Sequence, residues 1–172
     1  SGLKVLLVDF DPQSNLGEDL GYTLRGHDQG ESIFAGFASN QAPVPLKDVR
    51  PGLDVVPGGA HLRKIPQWIA VNNDPSLVEN FAKSLAKIAK DYDLVLIDSP
   101  PIDAKLQEVA LVASKYLVIP FRSDVSSRKG LSEISVAWEA AQEFNDELEL
   151  LGVILFGSSL NAKATRASAI AD

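Results

Sequence analysis

Asp9 and Asp98 each close a short apolar run, Leu3-Lys4-Val5-Leu6-Leu7-Val8-Asp9 and Asp93-Leu94-Val95-Leu96-Ile97-Asp98. An ionised carboxylate at the end of a buried strand is costly unless a cation or hydrogen-bond donors meet it. A hydrated Mg²⁺ is one such partner, held in phosphoryl-transfer sites by a carboxylate together with phosphate oxygens. The N–H groups of a following turn or helix are the other, and spacing alone does not choose between them. Asp11 lies just past the first run, where its carboxylate could reach a water. Pro12, Gln13, Ser14 and Asn15 follow it, and Ser99, Pro100 and Pro101 follow Asp98. Proline fixes the backbone dihedral φ, so both acids lead into loops of restricted shape.

The runs that carry these acids do not alternate, which suits parallel strands buried on both faces. Leu53-Asp54-Val55-Val56 reads as a further strand stopped by Pro57-Gly58-Gly59, and Tyr116 to Pro120 and Leu150 to Phe156 as two more. Leu77, Phe81, Leu85, Ile88 and Tyr92 step at helical spacing through Pro75–Tyr92, with Glu79, Lys83, Lys87 and Lys90 facing away. Helices are also expected after Asn15, over Ser32–Ala38 behind a Ser32 cap, over Ala104–Ser114, over Ser127–Phe144 and in the tail from Asn161. The stretch from Tyr22 to Gly52 otherwise reads as loop. Strands alternating with helices predict an α/β fold, an open, mostly parallel, doubly wound sheet flanked by helices. Ligands of such sheets bind at the carboxyl ends of the strands, where Asp9 and Asp98 stand.

With 172 residues the chain holds one domain, and 45% apolar with 23% charged residues is the balance of an ordinary globular protein. No apolar run approaches a membrane span, and no basic start precedes a short apolar stretch as in a signal peptide. The absence of cysteine excludes disulfides, thiol nucleophiles and cysteine metal sites, and makes a cytoplasmic location the default. The absence of methionine implies a fragment. A net charge of −7 argues against a nucleic-acid footprint over the whole surface, though not against a local basic patch. His27 and His61 lack metal-ligand spacing. Trp68 and Trp138 read as core or partly buried packing residues, and Phe34 and Phe37 as cover for the edge of the core.

Val-Asp-Phe-Asp-Pro-Gln-Ser-Asn-Leu at 8–16 resembles the first switch of the ParA-type partition ATPases, the deviant Walker A or MinD/ParA superfamily. Leu-Val-Leu-Ile-Asp-Ser-Pro-Pro at 94–101 resembles the Walker B strand and second switch of that group, and the strands at 53–56, 117–120 and 151–155 fall in its order. The resemblance covers nearly the whole chain. It implies a P-loop NTPase-like fold and two ligands, ATP and Mg²⁺. In its terms Asp11 orients or activates the water that attacks the γ-phosphate. Asp98 reaches Mg²⁺ through a water, with Asp9 beside the same site. Pro12, Gln13 and Asn15 shape the first switch, and Ser99, Pro100 and Pro101 the second. Pro120, the residues Phe121 to Asp124 and Gly157 to Ser159 fall where the adenine pocket should lie, although Asp124 also suits a helix cap.

The same resemblance implies a homodimer closed by ATP, a ParB-type centromere-binding adaptor that triggers hydrolysis, and nonspecific binding to DNA on the nucleoid. Lys163 and Arg166, with Arg122, Arg128 and Lys129, are the basic candidates for phosphate contacts, against the commoner case of solvated surface charge. The departure from the family is as informative. Its glycine-rich loop with two lysines and a Thr, which cradles the phosphates and ligates Mg²⁺, has no match here, since Pro-Gly-Gly-Ala at 57–60 lacks the lysine. Residues 1–172 are therefore expected to form a single partial nucleotide-binding domain lacking the first strand and the phosphate loop. A gap is expected between the Asp98 and Leu117 strands, and nucleotide binding by this chain alone is expected to be poor. Alternatives are a MinD-like positioning ATPase and a non-catalytic interaction domain. The nitrogenase-iron-protein branch is excluded by the missing cysteines, and the tyrosine-kinase branch lacks its tyrosine cluster.

Overall fold

The computed structural model describes residues 2–23, 27–101, 103–121 and 125–155, the side chains of 125–133 apart. The apolar runs form β1 (Val5–Asp9), β3 (Leu53–Val56), β4 (Leu94–Asp98), β5 (Tyr116–Phe121) and β6 (Glu149–Leu155). One further strand, β2 (Leu46–Arg50), runs antiparallel along β3. The helices are α1 (Leu16–Leu20), α2 (Glu31–Ser39), α3 (Lys64–Asn72), α4 (Asn80–Ala89), α5 (Ala104–Val112) and α6 (Val125–Gln142).

β1 explains why its sequence does not alternate. It lies parallel between β3 and β4, in the strand order β2-β3-β1-β4. Leu6, Val8 and Phe10 pack with Ile33, Phe37, Phe81, Leu85, Leu106 and Val109 on one side. Leu7 turns to the other side, toward Leu20, Tyr22, Val49 and Val55. Both faces are thus covered, and a polar residue in the alternate positions would be left without water. The first cluster continues to Ala137, Ala141 and Leu148 and so extends from β1, β3 and β4 to the edge of the β5–β6 pair, where Leu117 packs against it.

The expected gap is present. The described strands make two sheets, and β5–β6 is a parallel pair not hydrogen-bonded to β4. Between β4 and β5 lies a mainly apolar cleft of about 1000 Å³. Leu96 and Val118 stand 47% and 43% exposed beside it, high values for residues of two strands in the middle of an α/β fold.

Several expectations need correction. Ser32 does not cap α2: Asp28 does so, its Oδ2 accepting from Ser32 N at 2.9 Å and its Oδ1 from Gly30 N at 3.0 Å. The Ser32 hydroxyl is instead buried with no partner among the described residues. The stretch 75–92 is a 3₁₀ turn, Pro75–Glu79, followed by α4. The turn starts on an Asp74 side chain that accepts from Ser76 N. Phe81 and Leu85 are buried as expected, and Glu79 pairs with Lys83 on the outer side. β2 and α3 were not expected. Phe37 and Trp138 join the core, but Trp68 is 39% exposed and rests edge-on against Phe34. The tail from Asn161 lies outside the described residues.

The antiparallel β2 is fastened by a polar cluster. Asp54 Oδ2 accepts from Lys47 Nζ at 2.9 Å and from the Tyr92 hydroxyl at 2.7 Å, and Oδ1 accepts from Asp48 N at 2.9 Å. Burial pushes the Asp54 carboxyl upward. The Asp48 N–H, then Tyr92 and Lys47, outweigh it and hold the carboxyl below its ordinary value. A depressed carboxyl contributes stability above its unfolded value of about 3.9 and loses it as pH falls through the lower folded value. Thermal unfolding followed by circular dichroism should therefore show the melting midpoint falling on acidification below about pH 4. Asp54→Asn should flatten that part of the profile, and an unchanged acid limb would remove Asp54 from it.

Candidate functional site

The register of the ladder brings the two strand-end acids together. Asp9 pairs with Asp98 at the carboxyl ends of β1 and β4, so their side chains leave the sheet on the same side. Phe10 N donates to Asp98 O at 2.8 Å and carries the pairing one step into the loop. The first switch then turns sharply. Gln13 N donates to Asp11 Oδ1 at 2.8 Å, and Ser14 N to Asp11 O at 3.1 Å. This Asx turn is the local reason the chain reverses here before α1. Asn15 O accepts from Glu18 N at 3.0 Å as α1 begins.

Asp9 is fully buried and meets only donors. Its Oδ2 accepts from the Tyr22 hydroxyl at 2.8 Å and from Ser14 Oγ at 2.9 Å, and its Oδ1 accepts from Asp11 N at 3.2 Å. Burial, together with the Asp9 charge, pushes the Tyr22 hydroxyl far above its ordinary pKa, so it stays a proton donor. Asp98 differs. It opens on the cleft, and its carboxylate accepts no hydrogen bond among the described residues. Desolvation by its surroundings, then the charges of Asp9 and Asp11, raise its carboxyl above the usual range. Negative charge left uncompensated in this way is what a hydrated divalent cation relieves, so the residues present fit Mg²⁺.

The second switch starts at Ser99, which is exposed, passes the buried Pro100 and emerges at Pro101. All three line the cleft, as does Pro120 at the end of β5. Gln107 on α5 is buried and donates Nε2–H to Pro100 O at 2.9 Å. Its Oε1 is buried with no partner among the described residues, and the residue lines the same cleft. Asp103 caps α5, accepting from Lys105 N and Leu106 N at 3.1 Å.

Pro12 is half-buried and Gln13 exposed beside Asp11. Ile102, Arg122 to Asp124, Gly157 to Ser159, Lys163 and Arg166 lie outside the described residues, as do the side chains of Arg128 and Lys129. Tyr22, Ser14, Gly58 and Gln107 are site residues that sequence reasoning missed. Gly58 follows β3, and a Cβ there would fall 2.5 Å from Asp9 O and 2.8 Å from Asp11 O. Only a residue without a side chain lets that turn lie against the switch. The Pro-Gly-Gly signal was legible, but its neighbour was not.

A family model described as an AAA domain matches residues 1–150. The chain is 31% identical over 170 residues to a ParA family protein of Chlamydia pneumoniae, covering 98% of this chain and 65% of that protein. It is 30% identical over 158 residues to the chromosome partitioning protein ParA of Caulobacter vibrioides, covering 90% and 58%. It spans 44% to 65% of the lengths of these and similar curated relatives. The cobyrinic acid a,c-diamide synthase of Mycobacterium smegmatis, solved with a bound ATP analog and magnesium, superposes with a TM-score of 0.76 at 24% identity. That match covers 99% of this chain and 67% of that one, and at this identity it bears on the fold. With the paired strand-end acids, the switch sequences and these relatives in agreement, the chain belongs to the AAA domain family and, within it, to the ParA-type proteins.

Proposed function

We propose that the chain is the switch-bearing part of an ATP-dependent DNA-partition protein. The observation that carries this reading is the Asp9–Asp98 register pair with Asp11 immediately beyond it and an open cleft beside Asp98. In the proposed site Asp98 faces a hydrated Mg²⁺. Asp11 orients the attacking water or takes its proton, while Asp9 holds the loop on which Asp11 rides. The metal, when bound, neutralises charge on the phosphate oxygens. Pro12, Gln13, Ser99, Pro100 and Pro101 give the two loops restricted backbones, so that gain or loss of the γ-phosphate shifts each as a unit. Pro120 borders the nucleotide side of the cleft.

The cleft between β4 and β5 is the seat of one further parallel strand leading into the glycine- and lysine-bearing phosphate loop. Exposed apolar residues on both flanking strands support this. ATP-driven homodimerisation, a ParB-type adaptor and nonspecific DNA binding on the nucleoid, with Lys163 and Arg166 among the phosphate contacts, belong to the same reading. No helix among the described residues is long and apolar enough to cross a membrane.

Calorimetric titration with MgATP tests the reading. The chain joined to the strand and phosphate loop should bind at micromolar levels, and the 172-residue chain alone should show no heat of binding. Equal binding by both would overturn the assignment of the cleft.

A further inference from the structure

The Asp9 carboxylate spends every hydrogen bond it makes on the first switch and its support, and one of its partners comes from outside the switch motif. Tyr22 follows α1, is fully buried, and reaches back to Asp9 with its hydroxyl at 2.8 Å. Ser14 reaches the same oxygen from the other side at 2.9 Å. Ser14 itself sits at φ 52°, in the left-handed region that a serine does not adopt without compensation. The compensation is visible: its hydroxyl is bonded to Asp9 and its N–H to Asp11 O.

The ring of Tyr22 is fixed independently of its hydroxyl. Tyr22 N donates to Gly17 O at 3.1 Å, and a Cβ on Gly17 would lie 3.0 Å from the ring. His27 stands edge-on to it at 5.8 Å. The phenol oxygen is therefore held at one point in space, and Asp9 is held against it. From Asp9 the constraint passes to Ser14 and to the Asp11 N–H.

We propose that Tyr22 is a positioning residue for the first switch: its hydroxyl fixes the buried Asp9 carboxylate, which in turn fixes Ser14 and the Asp11 backbone. This inference rests on the ATPase reading for its catalytic meaning, and on geometry alone for the latch itself. Without the hydroxyl, Asp9 loses one of its donors in a site closed to water. The left-handed Ser14 then competes with relaxed conformers, and Asp11 is no longer held in one position. A displacement of about 1 Å is enough to cost on the order of 100-fold in rate.

Two measurements on Tyr22→Phe test this, since phenylalanine keeps the packing and deletes only the oxygen. The first is amide hydrogen exchange in the 172-residue chain. Exchange at Asp11 and Ser14 should be faster by about tenfold, equal to about 1.4 kcal/mol, with core amides of β1 unchanged. The second is steady-state hydrolysis by the chain joined to its phosphate loop. kcat should fall about tenfold or more while KM for MgATP stays within about twofold. Ser14→Ala should have a similar effect, and adding it to Tyr22→Phe should cost less than the sum, because both act through one carboxylate. Unchanged exchange at Asp11 overturns the latch. Loosened exchange with unchanged kcat overturns its positioning role. Loosened exchange in a chain whose unmutated form never hydrolyses ATP overturns the ATPase reading and leaves the latch standing.

Discussion

Asp11→Ala, in the chain joined to its phosphate loop, lowers ATP turnover by two to four orders of magnitude, the range typical of a lost general base or water-positioning group. Nucleotide affinity should stay within about twofold, because Asp11 addresses the water and not the triphosphate. Single-turnover hydrolysis and equilibrium nucleotide binding, measured on the same preparation, check both halves. Asp11→Asn separates two roles that the alanine variant merges. Asparagine keeps an oxygen for Gln13 N, now bonded to Asp11 Oδ1 at 2.8 Å, and so preserves the turn. It cannot take a proton. An asparagine variant near full rate would make Asp11 a positioner, and one as slow as the alanine variant would make it a base. Unchanged turnover in both would remove Asp11 from the chemistry.

The largest expected loss of stability comes from Phe10, the residue between the two switch acids. Its ring is fully buried and lies 4.7 Å from that of Phe81, tilted by 40°. Phe10→Ala leaves a cavity and forfeits the aromatic contact, at about 3–5 kcal/mol. Against a total stability of about 5–15 kcal/mol this is roughly a fifth or more of what keeps the chain folded. Urea unfolding monitored by tryptophan fluorescence should show the midpoint falling with little change in slope. A loss below about 1 kcal/mol would mean that the site collapses around the smaller side chain. Phe10 thus has a double part, since the ring that seals the core also pins the backbone from which Asp9 and Asp11 project.

How far the sequence foretold these features varied with the physics involved. β1 was legible because a strand covered on both faces leaves an uninterrupted apolar run, and β3 and β4 because they are short, mostly apolar runs stopped by Pro-Gly and Ser-Pro-Pro, although β4 is half-exposed along the cleft. β2 was not. Leu46-Lys47-Asp48-Val49-Arg50 is an edge strand whose Lys47 and Asp48 make contacts with Asp54 on the neighbouring strand and, for Lys47, with Tyr92 much farther along the chain. α3 was hidden by Pro66, which sits in its first turn, where proline's missing N–H costs nothing. Asp9, Asp11 and Asp98 announced themselves by type and position. Tyr22 did not, because a tyrosine after a glycine turn carries no periodic signal. Its role exists only once α1 has folded back over β1. The Ser32 cap failed for a related reason: Asp28, a residue upstream with two oxygens, reached the helix start first.

The breach between β4 and β5 has a mechanical meaning. Among the described residues no hydrogen-bond ladder joins the two leaves of the fold. They are held together by α4, α5 and α6 and by the shared apolar layer beneath them. The distance from Asp98 to Pro120 is accordingly set by packing and not by a strand ladder. A strand seated in the breach would stitch both leaves into one fabric and deliver the phosphate loop in the same stroke. Assembly of the binding pocket and rigidity of the scaffold would then rise and fall as a single equilibrium.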